Sequence, residues 1–170
     1  MISTTMLKLL NDQIQKEFYS TYLYLSMKAW FAEQNLDGFA NFFNVQVMEE
    51  RDHALKFYNY VIHVSGKVEL QAIVAPPVDF ATPLSVFEAS LKHEQFVTAS
   101  IYNLVNQAIE EKDHKTNTFL QWFVTEQAEE EATAESNIRK LQLIGNNTQG
   151  LFMHDAELAK RVYVPIVPPV

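Results

Sequence analysis

The chain has 170 residues, 48% of them hydrophobic and 12% aromatic, which is enough for one well-cored domain and short for two. A net charge of −8 and a sequence pI near 5.1 disfavour a nucleic-acid partner, which needs clustered Lys and Arg, and suit a protein that attracts cations. The absence of cysteine excludes disulfides, thiolate zinc sites and iron–sulfur clusters.

With only 4 glycines and 6 prolines, the composition is helical and poor in turns. The first helix is predicted from about Thr4 to Gln34, capped by Ser3 or Thr4. Asn35-Leu36-Asp37-Gly38 reads as a tight turn, and a second helix follows from about Gly38 to Ser65, with Gly66 as its C-terminal glycine. Gly66 to Ala81 carries Pro76-Pro77 and little periodicity, so it reads as a long connection. Thr82-Pro83 is a helix start, a capping residue followed by proline at the first position, and this third helix reaches about Glu111. Asp113 caps a fourth helix that ends near Ile144, and a short fifth helix is expected from about Met153 to Arg161. The tail Val164-Pro165-Ile166-Val167-Pro168-Pro169-Val170 cannot be helical and is expected to be extended or mobile, giving a domain over 1–162 and a Pro-rich tail over 163–170.

Short turns make helices one and two, and helices three and four, antiparallel neighbours. A helix of ~28 residues is ~42 Å long, and about sixteen extended residues span ~50 Å, so the middle connection can cross the whole bundle and make helices two and three parallel. The expected fold is all-α, a four-helix bundle with one long crossover between helices 2 and 3 and a short fifth C-terminal helix. With no basic–apolar leader and no run of ~20 apolar residues, no membrane association is expected and the cytoplasm is the expected location.

The inward stripes of these helices carry acids. Glu17 lies seven residues after Leu10 and seven before Tyr24; Glu50 sits likewise between Phe43 and Phe57, Glu94 between Phe87 and Ile101, and Gln127 between Leu120 and Ala134. A seven-residue step returns to nearly the same helix face. His53 follows Glu50 by three residues and Glu130 follows Gln127 by three. All lie within about three residues (~5 Å) of the expected helix midpoints, near Tyr19, Asp52, Val97 and Glu129, so they meet at one level. Converging buried carboxylates are costly unless a multivalent cation compensates them.

A glutamate from each of two helices plus Glu-x-x-His from the others is the di-iron carboxylate pattern. Here the second Glu-x-x-His is replaced by Gln127-Ala128-Glu129-Glu130, so the site is expected to be asymmetric. One iron takes Glu17, Glu50 and His53; the other takes Glu50 as a bridge, Glu94 and Glu130. Gln127 can offer only a neutral oxygen or hold a bound water or dioxygen, so the second ion should bind more weakly.

The motifs Glu17-Phe18-Tyr19-Ser20, Glu49-Glu50-Arg51-Asp52-His53, Lys92-His93-Glu94-Gln95, and Phe119-Leu120-Gln121-Trp122-Phe123 through Glu126-Gln127 and Glu129-Glu130 resemble those of prokaryotic non-haem ferritins over nearly the full length. The resemblance implies a ferroxidase that oxidises Fe(II) with O2 or H2O2 at a di-iron centre in each subunit. It implies storage of ferric mineral inside a hollow homo-oligomer of 24 subunits. It also implies that Tyr24 stands beside the centre and that Glu49, Glu126 and Glu129, with Glu130, form a third iron site on the cavity side. Asp52 stands where haem-binding relatives carry methionine, so no haem is expected. Trp122 reads as a core anchor with a redox role as the alternative. Glu110, Glu111 and Asp113 read as an acidic turn or as an approach for iron. No ligand role is expected for His63, His93, His114 or His154.

Three rival classes fit the sequence less well. Peroxidase relatives carrying a rubredoxin-like domain need Cys-x-x-Cys, which is absent. Small DNA-protecting relatives place their metal between subunits and often carry a basic tail, whereas here one chain supplies all the ligands. A metal-free structural bundle leaves the buried acids uncompensated.

Overall fold

A computed structural model describes residues 2–166. Five helices follow in order: α1 (Thr4–Glu33), α2 (Asp37–His63), α3 (Pro83–Glu110), α4 (His114–Ile144) and α5 (Thr148–Leu158). Among the described residues there is no strand, and no helix is long and apolar enough to cross a membrane.

The helix starts are built by local side-chain chemistry. Ser3 Oγ accepts from the Met6 amide at 2.9 Å, and Thr82 and Ser85 form a reciprocal capping box around Pro83. Asp113 accepts from the Thr116 amide at 3.1 Å and from its hydroxyl at 2.5 Å. The α1–α2 turn needs a left-handed residue, supplied by Asn35 at φ 57°.

Two expectations shift. At the end of α2 the left-handed residue is Ser65, with φ 58°, and the Gly66 amide reaches back to the Val61 carbonyl at 2.8 Å. Gly66 sits in close contact instead: a Cβ there would lie 2.6 Å from Leu7 Cδ1, which would have to move aside. The fifth helix spans Thr148–Leu158 rather than Met153 to Arg161, because Asn147 caps it by accepting from the Gly150 amide at 3.1 Å. It ends early because Asn41 Nδ2 takes the carbonyls of Leu158, Ala159 and Arg161.

The long connection runs along α1 in α1's own direction. Asn11 bonds the backbone of Lys67 and Glu69, Gln15 bonds Ala72, and Ser26 bonds Pro77. Chain that left α2 beside the start of α1 is thereby carried to its far end, which makes α2 and α3 parallel. Residues 161–166 are non-helical and lie against α2, with Tyr163 Oη donating to Asp52 and the Ile166 amide reaching the same carboxylate at 3.4 Å. The remaining tail expectation, at 167–170, lies outside the described residues.

The apolar core is in two parts. One contains Tyr24, Met27, Phe31, Phe39, Phe43 and Phe87; the other contains Met6, Leu10, Ile14, Phe57, Ile101, Leu120 and Phe123. Between them, at mid-height, every helix of the bundle turns a polar side chain inward.

Candidate metal centre

That polar layer is buried. Glu17, Glu50, His53 and Glu94 are each 1% exposed, and Gln127 and Glu130 are also buried. The helical period places Glu17, Glu50, Glu94 and Gln127 each between two aromatic or aliphatic core residues of its own helix, on the inward stripe. Glu17, Glu50 and His53 each offer a ligand atom within 4.8 Å of the others. His53 Nδ1 lies 3.4 Å from Glu50 Oε2, as the three-residue spacing requires.

Each carboxylate is held differently. Gln13 Nε2 donates to Glu17 Oε1 at 2.8 Å, and Gln46 Nε2 donates to Glu130 Oε2 at 2.8 Å. Gln127 Nε2 donates to Glu94 Oε2 at 3.0 Å, and the Tyr24 hydroxyl donates to Glu94 Oε1. Glu50 alone among these acids receives no glutamine amide. Buried atoms left without a partner include Glu17 Oε2, Glu50 Oε1 and His53 Nε2. Unsatisfied buried polar atoms are rare in folded proteins, and these three belong to one group of neighbouring side chains.

Electrostatics agree with the burial. Desolvation raises the Glu17 pKa against the favourable His53 and Gln13. Desolvation, then the charges of Glu17 and Glu130, push Glu50 well above the usual carboxyl range, and desolvation, then Glu50 and Glu130, do the same to Glu94. Desolvation and the Glu94 charge drive the Tyr24 phenol well above its ordinary value, so it stays protonated as a donor.

The residues of the expected third site lie on one side of this layer. Glu49 is half-buried and bound to Arg161 Nη2 at 2.7 Å, and burial lifts its pKa to about 7 despite that partner. Glu126 Oε1 is 3.8 Å from His53 Nε2. Glu129 is exposed. Trp122 packs its ring against His53 at 5.4 Å and carries Lys56 over its face at 3.8 Å. Asp113 is engaged as the cap of α4.

Sequence reasoning missed the residues one turn away from the acids. Gln13 precedes Glu17 by four and Gln46 precedes Glu50 by four, both fully inward; the same i, i+4 spacing could have found them. It also missed Arg161, which no spacing argument places beside Glu49; His93, for which no ligand role was expected, instead meets Ser20 Oγ with its Nε2 at 2.7 Å, and burial lowers its pKa to about 4.

A layer of acids with one histidine, drawn from all four helices of a bundle with one long crossover, is the architecture of the ferritin-like di-metal carboxylate class. Residues 7–144 match the Ferritin-like domain family. The chain is 44% identical over 155 residues to the bacterial non-heme ferritin of Campylobacter jejuni, covering 91% of this chain and 93% of that one. It is 40% identical over 163 residues to the bacterial non-heme ferritin of Staphylococcus aureus, covering 96% and 98%. Among solved structures, the open pore ferritin of the archaeon Archaeoglobus fulgidus superposes with a TM-score of 0.94 at 45% identity, covering 95% of this chain and all of that one. A humanized archaeal ferritin superposes with a TM-score of 0.96 at 44% identity, covering 97% and 100%. The chain belongs to the ferritin family.

Proposed function

We propose that this protein is an iron-storage ferritin whose buried layer is a ferroxidase centre. The observation that carries the reading is the meeting of Glu17, Glu50 and His53 within 4.8 Å in a buried core, with Glu94 and Glu130 close enough to interact electrostatically with Glu50. Family membership supports the same conclusion.

In this reading Fe(II) is the substrate. The first ion takes Glu17, Glu50 and His53. The second takes Glu50 as bridge, with Glu94 and Glu130. Glu50 suits a bridge because no glutamine holds it and Oε1 is free. Glu17 keeps Oε2 free while Gln13 holds Oε1, which suits a terminal ligand. Gln127 holds Glu94 through its amide nitrogen, so its first task is to orient that carboxylate. Two ferrous ions give one electron each, and O2 with two protons becomes H2O2, or H2O2 itself serves as oxidant. Hard carboxylate oxygens favour the ferric product. Protons held by the raised carboxyls leave as the cations bind. Hydrolysis of the ferric product then releases protons and builds mineral.

Glu49, Glu126 and Glu129, with Glu130, form the third position through which iron leaves toward a cavity. The assembly is a hollow homo-oligomer of 24 subunits in the cytoplasm, without haem. Stopped-flow mixing of metal-free protein with Fe(II) in air tests the centre. Rapid oxidation of two irons per subunit, lost in Glu50→Ala and His53→Ala, is expected; unchanged oxidation in both variants contradicts the assignment.

A further inference from the structure

The centre's first carboxylate is wired to the surface. Gln13 is fully buried on α1, and its Nε2 donates to Glu17 Oε1 at 2.8 Å. Ser100 on α3 donates its hydroxyl to Gln13 Oε1 at 2.6 Å, and the half-buried Lys16 donates Nζ to Ser100 Oγ at 2.6 Å. The direction of this chain follows from chemistry. A lysine ammonium has donors only, so Ser100 Oγ must accept from it and turn its single proton onward. Gln13 must then present its oxygen to Ser100 and its nitrogen to Glu17. The end of the chain holds one Glu17 oxygen and leaves the other, Oε2, without a partner and available to the cation.

We infer that Lys16, Ser100 and Gln13 are positioning residues, a directional hydrogen-bond chain that fixes the polarity of the Gln13 amide and thereby aims Glu17 Oε2 at the first iron. The inference rests on the ferroxidase reading of the centre. The chain orients and does not conduct, because an amide passes no proton without tautomerising. Without the lysine donor the Ser100 proton can rotate away, and the Gln13 amide can turn its oxygen toward the carboxylate, which repels it. Nothing else holds the amide: Gln13 makes no other side-chain hydrogen bond among the described residues.

Removal of an outer hydrogen-bond partner of a metal ligand costs about 10- to 100-fold in affinity. The test uses the full, assembled, metal-free protein titrated with Co2+, following affinity and the d–d absorption of the bound ion. Ser100→Ala and Lys16→Met, at half-buried positions, should each weaken Co2+ by about 10-fold or more and alter the absorption bands. The double variant should be no weaker than the weaker single one, because both break one chain. Ser100→Thr and Lys16→Arg, which keep the donors, should restore wild-type values. Weakening by Lys16→Met but not by Ser100→Ala would mean that Lys16 acts only through its charge, and overturns the inference. So do additive losses, or unchanged affinity and spectrum in both. Wild-type protein that binds Co2+ no better than Glu17→Ala overturns the ferroxidase centre and this inference together. Wild-type binding that Glu17→Ala abolishes, with Ser100→Ala unaffected, overturns this inference alone.

Discussion

Glu50 is under conflicting demands. It is buried among other acids, its pKa is pushed far up, and one of its oxygens has no donor. In the metal-free protein this is a cost to stability, and a functional one. Glu50→Gln should therefore raise the unfolding midpoint of metal-free protein at pH 8, by an amount on the order of 1 kcal/mol or more, while abolishing fast iron oxidation. Equal or lower thermal stability of the variant would contradict that view of the residue. Tyr24→Phe removes the donor to Glu94 but keeps the ring among Phe43 and His93. A loss of about 1–2 kcal/mol is expected in chemical denaturation, because a buried carboxyl loses a hydrogen bond.

The same residues fix the sign of a pH dependence. Glu17, Glu50 and Glu94 have folded pKa values above the ordinary carboxyl value of 4.5, and Glu49 is raised to about 7. A raised folded pKa means the native state binds the proton more tightly than the unfolded chain. Its contribution is full below pH 4.5 and is lost as pH rises through the folded values. Metal-free protein should thus have a lower melting temperature at pH 8 than at pH 5.5, and saturating Zn2+ should remove or reverse that slope. The lowered pKa of His93 works the other way over this range, so a Ser20→Ala, His93→Gln variant isolates the acids, and a metal-free stability that rises in it would refute their desolvated state. At this scale the sequence was informative about which polar side chains are buried, because a seven-residue step through a helix returns to the core-facing stripe. It was silent on Lys16, Ser100 and Arg161, whose neighbours come from other helices or from the C-terminal segment and depend on rotamers that only packing decides.

At the scale of elements, helix existence and order followed from periodicity, Pro83 and the capping residues, while ends followed less well. Asn147 starts α5 five residues ahead of the expected Met153, because Gly145-Asn146-Asn147 reads equally as a turn and as the lead into a cap. Ser65 takes the left-handed position that glycine was expected to fill, one residue before Gly66. Ser65→Gly should then stabilise the protein by about 1 kcal/mol, by relieving the left-handed strain of a residue with a Cβ. No gain in the denaturation midpoint would show that strain to be absent. Asp113→Ala should cost about 1 kcal/mol through loss of the α4 cap, and Asp113→Asn much less. Equal loss of stability in both variants would contradict the capping role.

At the scale of the molecule, the two apolar clusters clamp the polar layer from either end, and the crossover binds α1 along its length. The bundle was legible because chain length, turn length and crossover length leave few ways to connect four long helices. A shell was not legible from residues, since no motif in the chain marks a contact between copies. Storage therefore needs a measurement on the whole assembly. Metal-free protein is titrated in air with Fe(II), passed through size-exclusion chromatography, and its iron is counted per subunit. Far more than three irons per subunit, co-eluting with a large assembly after rapid oxidation, is the expected result. Oxidation that stops near two irons per subunit on a small species would contradict the storage function and leave a di-iron oxidase.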